Sequence, residues 1–146
     1  MTNSDFRVLI APDSFKGTFS AAEVAKAISA GVLAAGGEAD LCPLADGGEG
    51  TMRTLVSSAG GTIRTVTVQD PLGRGINAGF GLIDEGATAI VEMAEASGMG
   101  LVEPEERDAE AASTFGTGEL LVAAARTGAG RILVAVGGSA TTDGGA

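Results

Sequence analysis

Residues 6–11 read Phe-Arg-Val-Leu-Ile-Ala, a short apolar run that breaks at Pro12, and this predicts a buried strand. After a loop, Pro-Asp-Ser-Phe-Lys-Gly-Thr-Phe, Ser20 and Glu23 form an S-x-x-E capping box. Val24, Ile28 and Val32 then recur at helical spacing as far as Gly36 and Gly37, predicting a helix that buries this stripe and stops at the glycines. The same order returns: residues 39–44 predict a strand, residues 45–51 a glycine-rich loop, and Met52, Leu55, Val56 and Ala59 one face of a helix that ends at Gly60 and Gly61. Successive strand-loop-helix units favour a parallel sheet with helices packed on it.

From Thr62 the texture changes. Thr-Ile-Arg-Thr-Val-Thr-Val alternates, Asp-Pro-Leu-Gly-Arg-Gly reads as a turn, and residues 77–83 and 87–93 predict further strands of an antiparallel or mixed sheet. Residues 103–110 form an acidic connector. Residues 117–127 predict a helix with Leu120, Leu121, Ala124 and Ala125 on its buried side and Gly128 at its end. Residues 131–136 predict a strand that runs into Gly-Gly-Ser-Ala-Thr-Thr-Asp-Gly-Gly-Ala. The fold class is therefore α/β, with parallel β-loop-α units followed by a mixed sheet region. A last strand lacking the helix that would cover it leads us to expect a truncated chain.

Composition narrows the function. With 45% hydrophobic and 19% charged residues the chain is globular, and it has no apolar run of membrane-spanning length. A net charge of −10 without a basic stripe argues against electrostatic binding along nucleic acid. Histidine is absent and Cys42 is the single cysteine, which excludes an intrachain disulfide framework, a Cys/His zinc site and a His-dependent triad. Cys42 and the methionines are expected in the core. The first residues show no secretory pattern, so the expected compartment is the cytoplasm. The sequence has no internal repeat.

Three loops, residues 12–18, 45–51 and 137–145, leave the carboxyl ends of predicted strands, which is where open α/β sheets bind ligands. Each mixes glycine, a hydroxyl residue and an aspartate, a set that suits phosphate or Mg²⁺ and equally suits an ordinary turn. Neither the G-x-x-x-x-G-K-[ST] nor the G-x-G-x-x-G fingerprint is present.

Taken together, the blocks APDSFKGT, PLADGGEGT, DPLGR, VEMAEASG, TFGTGEL and GGSATTDGG stand in the order in which similar blocks occur in the type-1 glycerate kinases, so the chain resembles the amino-terminal part of that family. The resemblance implies transfer of a phosphoryl group from ATP, with Mg²⁺, to D-glycerate, a small-molecule substrate. It also implies two α/β domains with the active site between them. On this chain the expected division is residues 1–65 as part of a first, Rossmann-like α/β domain and residues 66–146 as the start of a second. A non-catalytic remnant or small-ligand-binding module that keeps the loops is the alternative.

A kinase must neutralise charge on the transferred group and accept a proton from the attacking hydroxyl. Lys16 suits a glycerate carboxylate or an ATP phosphate. Asp46 suits a general base or a Mg²⁺ ligand, and equally a helix N-cap. Asp13 and Ser14 belong to the first loop, where Asp13 orients the turn or binds metal. Gly47, Gly48 and Glu49 flank Asp46, although an acid such as Glu49 also suits a first helical turn. Gly138, Ser139, Thr141, Thr142 and Asp143 suit an anion nest, with Asp143 a second candidate metal ligand. Glu92 either lines the site or marks where its strand surfaces. Thr117 and Gly118 supply donors at a helix start or cap that helix.

Overall fold

The computed structural model describes residues 6–15 and 17–145. They form two compact units, Met1–Asp46 and Gly47–Ala146. Among the described residues no helix is long and apolar enough to cross a membrane.

In the first unit, β1 (Arg7–Ile10) pairs in parallel with β2 (Glu38–Leu41), with Arg7 opposite Glu38 and Ile10 opposite Leu41. Between them runs α1 (Ala21–Ala34). The capping box forms as expected: the Glu23 N–H donates to Ser20 Oγ at 3.3 Å, and the Ser20 N–H donates to Glu23 Oε2 at 2.8 Å. Gly36, at φ 84°, takes the left-handed conformation that ends the helix. The predicted apolar stripe is only partly right. Ala21, Ala25 and Ser29 are buried, whereas Ile28 is 45% exposed. A two-stranded sheet is narrow, and α1 approaches it through its small residues. Strand β2 also ends before the predicted residue 44, because Pro43 lacks an N–H to extend a ladder. Cys42, expected in the core, is exposed, since one helix covers only one face of this small sheet.

The second unit is a sheet with a helix on each face. Strands β3 (Thr62–Gln69), β4 (Gly75–Ile83), β5 (Thr88–Glu92) and β6 (Arg131–Ala135) lie in that order. The first three form an antiparallel meander and β6 runs parallel to β5. This is the mixed sheet the alternation predicted. Helix α2 (Thr51–Ala59) precedes β3, and a single turn α3 (Ala94–Ser97) and α4 (Phe115–Ala125) connect β5 to β6.

Alternation along the strands decides which helix each side chain meets. Ala78, Phe80 and Leu82 of β4 join Ala89 and Val91 of β5 in one cluster with Leu120 and Ala124 of α4. On the opposite face Ile90 of β5 meets Met52 and Val56 of α2. There β4 presents Gly79 and Gly81, and a Cβ on Gly81 would run into the Val56 side chain. Those two glycines are what let α2 lie close on the sheet. Helix α2 thus packs with the second unit, and the compact units part at Asp46–Gly47, upstream of the composition change near residue 65. Helix α4 starts at Phe115, earlier than predicted, and Ala125 on its far side is exposed.

The Asp-Pro-Leu-Gly-Arg turn between β3 and β4 is built on a buried carboxylate. Asp70 accepts the N–H groups of Leu72 and Arg74, each at 2.8 Å, together with Nε of Arg74. The same guanidinium reaches both oxygens of Glu106 at 3.0 Å and the Leu101 carbonyl at 3.1 Å. One arginine therefore ties the turn to the acidic connector. These donors outweigh burial and hold the Asp70 carboxyl below its usual range.

Two glycines of α4 make a sign test. A Cβ on Gly116 would collide with the Gln69 carbonyl of β3, whereas Gly118 has open space around it. Gly118→Ala is expected to raise stability by up to about 1 kcal/mol through helix propensity. Gly116→Ala is expected to lower it by about 2 kcal/mol or more through overpacking. Urea unfolding of the two variants measures both.

Candidate functional site

Strands β5 and β6 are parallel, so the segments that follow them leave from one rim of the sheet. Met93 N–H to Ala135 carbonyl, at 2.9 Å, carries the pairing one step past β5. Beyond it the two segments stay in contact. Met99 N–H donates to the Gly138 carbonyl at 2.8 Å, and Ala140 N–H donates to the Ser97 carbonyl at 2.9 Å.

The entrance of α2 meets the same rim. Gly137 N–H donates to the Gly47 carbonyl at 2.8 Å, and a Cβ on Gly137 would stand 2.6 Å from Gly48 Cα. No side chain fits there. Gly138, at φ 76°, lies beneath Glu49, whose Cγ would be 3.4 Å from an added Cβ. Gly47 N–H is held by Thr51 Oγ1 at 3.1 Å. Three segments, residues 47–50, 97–101 and 137–140, thus converge on one patch of glycine backbone. Glu49 stands exposed over it.

What secures this entrance is Glu92. Gly50 is the N-cap of α2, at φ 87°, and it has no side chain to satisfy the first amides of the helix. Glu92 Oε1 accepts the Gly50 N–H at 2.8 Å and Oε2 accepts the Met52 N–H at 2.9 Å. The residue is 2% exposed. It follows Ile90 by two positions and so shares the sheet face that α2 covers. Burial pushes its carboxyl above the ordinary range and Glu95 pushes the same way, while the two amides and Arg53 pull it back. Of the two readings that the sequence left for Glu92, surfacing at the strand end is ruled out.

The remaining loop residues turn elsewhere. Asp143 Oδ2 accepts the N–H and the hydroxyl of Thr114 at 2.7 and 3.0 Å, and Oδ1 accepts the Gly145 N–H at 3.3 Å. Those donors hold its carboxyl below the usual range. Thr114 is the N-cap of α4, so Asp143 moors the loop to that helix. Thr142 Oγ1 donates to the Ala109 carbonyl at 3.0 Å. Ser139 and Thr141 share a hydroxyl contact of 2.8 Å. Thr117 is buried with its hydroxyl 2.7 Å from that of Ser97, so it tethers α3 to α4, and Gly118 is exposed.

In the first unit the two strand-end loops also meet, through Leu44 N–H to the Pro12 carbonyl at 2.9 Å. Asp13 lies beside this contact, with its Oδ1 taking the Ser14 N–H at 2.7 Å. Asp46 is exposed at the end of the unit. At the α2 entrance Gly50 is the N-cap and Glu92 accepts its amide. Lys16 lies outside the described residues. Among the described residues no three Asp, Glu, Cys or His side chains gather as a metal cage. An open groove of about 900 Å³ runs along α4, lined mainly by apolar side chains such as Val66, Phe115 and Val122, with Glu119, Arg126 and the backbone of Gly144 and Gly145 also reaching it.

The model of the glycerate kinase family matches residues 8–146. A "Glycerate 2-kinase" of Escherichia coli K12 is 45% identical over 142 residues, and a "Glycerate kinase" of Bacillus subtilis 168 is 47% identical over 142 residues. Each alignment covers 96% of this chain and 37% of the relative, so the chain spans little more than a third of their length. The crystal structure of a candidate glycerate kinase 2 from Salmonella typhimurium LT2 superposes with a TM-score of 0.78 at 44% identity, covering 97% of this chain and 38% of that one.

Two outcomes test the site's construction. Gly137→Ala is expected to part the 47–48 and 137–138 backbones and to cost about 2 kcal/mol or more, read by urea unfolding and by loss of amide protection at Gly137. The second is a pH slope. Because folding raises the Glu92 pKa, the folded chain binds the proton more readily than the unfolded one. Its contribution to stability is therefore full below the unfolded value, 4.5, and is lost as pH rises through the raised value. Glu92→Gln is expected to lack that falling segment when unfolding is followed from pH 4 to pH 8.

Proposed function

The chain belongs to the glycerate kinase family, and from that premise we propose that it takes part in ATP- and Mg²⁺-dependent phosphorylation of D-glycerate. The observation that carries this reading is the match of the family model to residues 8–146, together with the glycine patch formed where residues 47–48 and 137–138 pack against each other. Backbone without Cβ atoms allows a phosphate or carboxylate to come close, and an acidic chain needs such a surface to receive an anion.

The roles follow from the chemistry of each group. Lys16 pairs with a glycerate carboxylate or a nucleotide phosphate. Asp46 accepts the hydroxyl proton or holds Mg²⁺. Asp13 and Ser14 shape the first loop, and Glu49, Gly138 and Ser139 border the anion. Asp143 already carries three hydrogen bonds from Thr114 and Gly145, so it serves better as the mooring of its loop than as a metal ligand. The absence of a carboxylate cage among the described residues fits Mg²⁺ carried by the phosphates of the nucleotide, where one or two protein oxygens suffice. When bound, the ion neutralises charge on the phosphates.

The second reading is a small-ligand-binding module, favoured by the 37% share of the relatives that this chain covers. Coupled ADP-release assays with D-glycerate and MgATP separate the two, run on these 146 residues and on the protein at its relatives' length. Mg²⁺-dependent turnover is expected at the longer length, slowed about a hundredfold or more by Lys16→Ala or Asp46→Asn. Unchanged rates in both variants remove those roles. Calorimetric binding of glycerate or MgATP to the 146 residues without turnover supports the module.

A further inference from the structure

Glu92 is a buried carboxylate whose two oxygens accept amides at the entrance of α2. We propose that Glu92 is a positioning residue, which fixes residues 47–49 against residues 137–138 by holding the amides of Gly50 and Met52. The clamp itself rests on geometry alone; its effect on turnover rests on the kinase reading.

The argument begins with the cap. A helix that starts at glycine has no local acceptor for its first amides, and a carboxylate with two oxygens can serve two of them at once. The Glu92 oxygens do so from the adjacent strand, at 2.8 and 2.9 Å, so the helix entrance is pinned to the sheet. One residue upstream of Gly50 stands Glu49, and two residues before Glu49 is Gly47, whose carbonyl takes the Gly137 amide at 2.8 Å. A shift of the entrance therefore moves the glycine patch.

The charged groups near Glu92 do not compete for it. Glu95 of α3 and Arg53 of α2 are the two that act on its charge. They pair with each other at 3.3 Å, and Glu95 also takes the Gly79 amide at 3.1 Å. Glutamine at position 92 would keep the shape but present one acceptor oxygen and one NH₂, so one of the two helix amides would face a donor.

Amide NMR of the wild-type chain across pH 4–8 tests the clamp. The Gly50 and Met52 signals are expected to titrate with one midpoint, above the ordinary carboxyl range. The Gly47, Gly48, Gly137 and Gly138 signals should follow it. Leu72 and Arg74, whose amides sit on Asp70, should instead follow a lower midpoint and serve as the control. In Glu92→Gln that higher midpoint should vanish. Hydrogen exchange at Gly50 or Met52 should speed up about tenfold or more, while the amides of Ala89, Ile90 and Val91 keep their protection.

The proposal is overturned if the Gly47, Gly48, Gly137 and Gly138 signals ignore the Glu92 midpoint. It is equally overturned if Glu92→Gln loosens the whole sheet in proportion. Should that variant fail to fold, the wild-type titration decides by the same criterion. In a protein that turns over glycerate, an undiminished kcat in Glu92→Gln overturns it as well. Absence of wild-type turnover sinks the kinase reading and leaves the amide result standing.

Discussion

Helix α2 begins at a glycine, and backbone amides buried without acceptors are too costly for a fold to leave unpaired. The second unit meets that demand with a carboxylate at the end of β5, reached across 42 residues of sequence from Gly50. From this pairing the rest follows. The helix can start abruptly, its Met52 and Val56 can settle over Gly79 and Gly81, and the glycine stretch before it comes to the carboxyl rim of β5 and β6. The cost is a charge in a dry place, and it appears as the raised Glu92 pKa.

The loops at that rim are less alike than their composition suggests. All are rich in glycine, hydroxyls and acid, yet the structure divides the labour among them. Gly47, Gly48, Gly137 and Gly138 bring backbone against backbone, with no room for a side chain at Gly137. Ser139 and Thr141 brace each other, and Thr142 and Asp143 moor the loop to the segment leading into α4. A surface suited to anions here is thus made of peptide groups, with side chains acting mainly as its supports.

Local features of this fold were legible in the sequence and distant ones were not. The capping box of Ser20 and Glu23, the alternation of residues 62–68 and the Asp-Pro-Leu-Gly-Arg turn all depend on neighbours within a few residues, and each formed as read. The buried face of α1 was misjudged because a stripe of Val24, Ile28 and Val32 carries no information on how narrow its sheet is. Cys42 was misjudged for the same reason. For Asp46 the sequence left an N-cap open beside a base or metal role, and it did not point to Glu92 on β5 as the acceptor of the Gly50 and Met52 amides. One signal was available: Glu92 stands in phase with Ile90 on a strand whose other residues are all buried and apolar or small, and an acid in that register demands a partner. The family resemblance was legible because it rests on motif order, which folding does not alter.

The sheet order has a consequence for assembly. Strands β3, β4 and β5 follow one another through short turns, so their contacts close only small loops. Strand β6 pairs with β5 across α3, the acidic connector and α4, so its contacts close a much longer loop. The glycine patch, where residues 137–140 meet the α2 entrance, therefore depends on contacts between segments far apart in sequence.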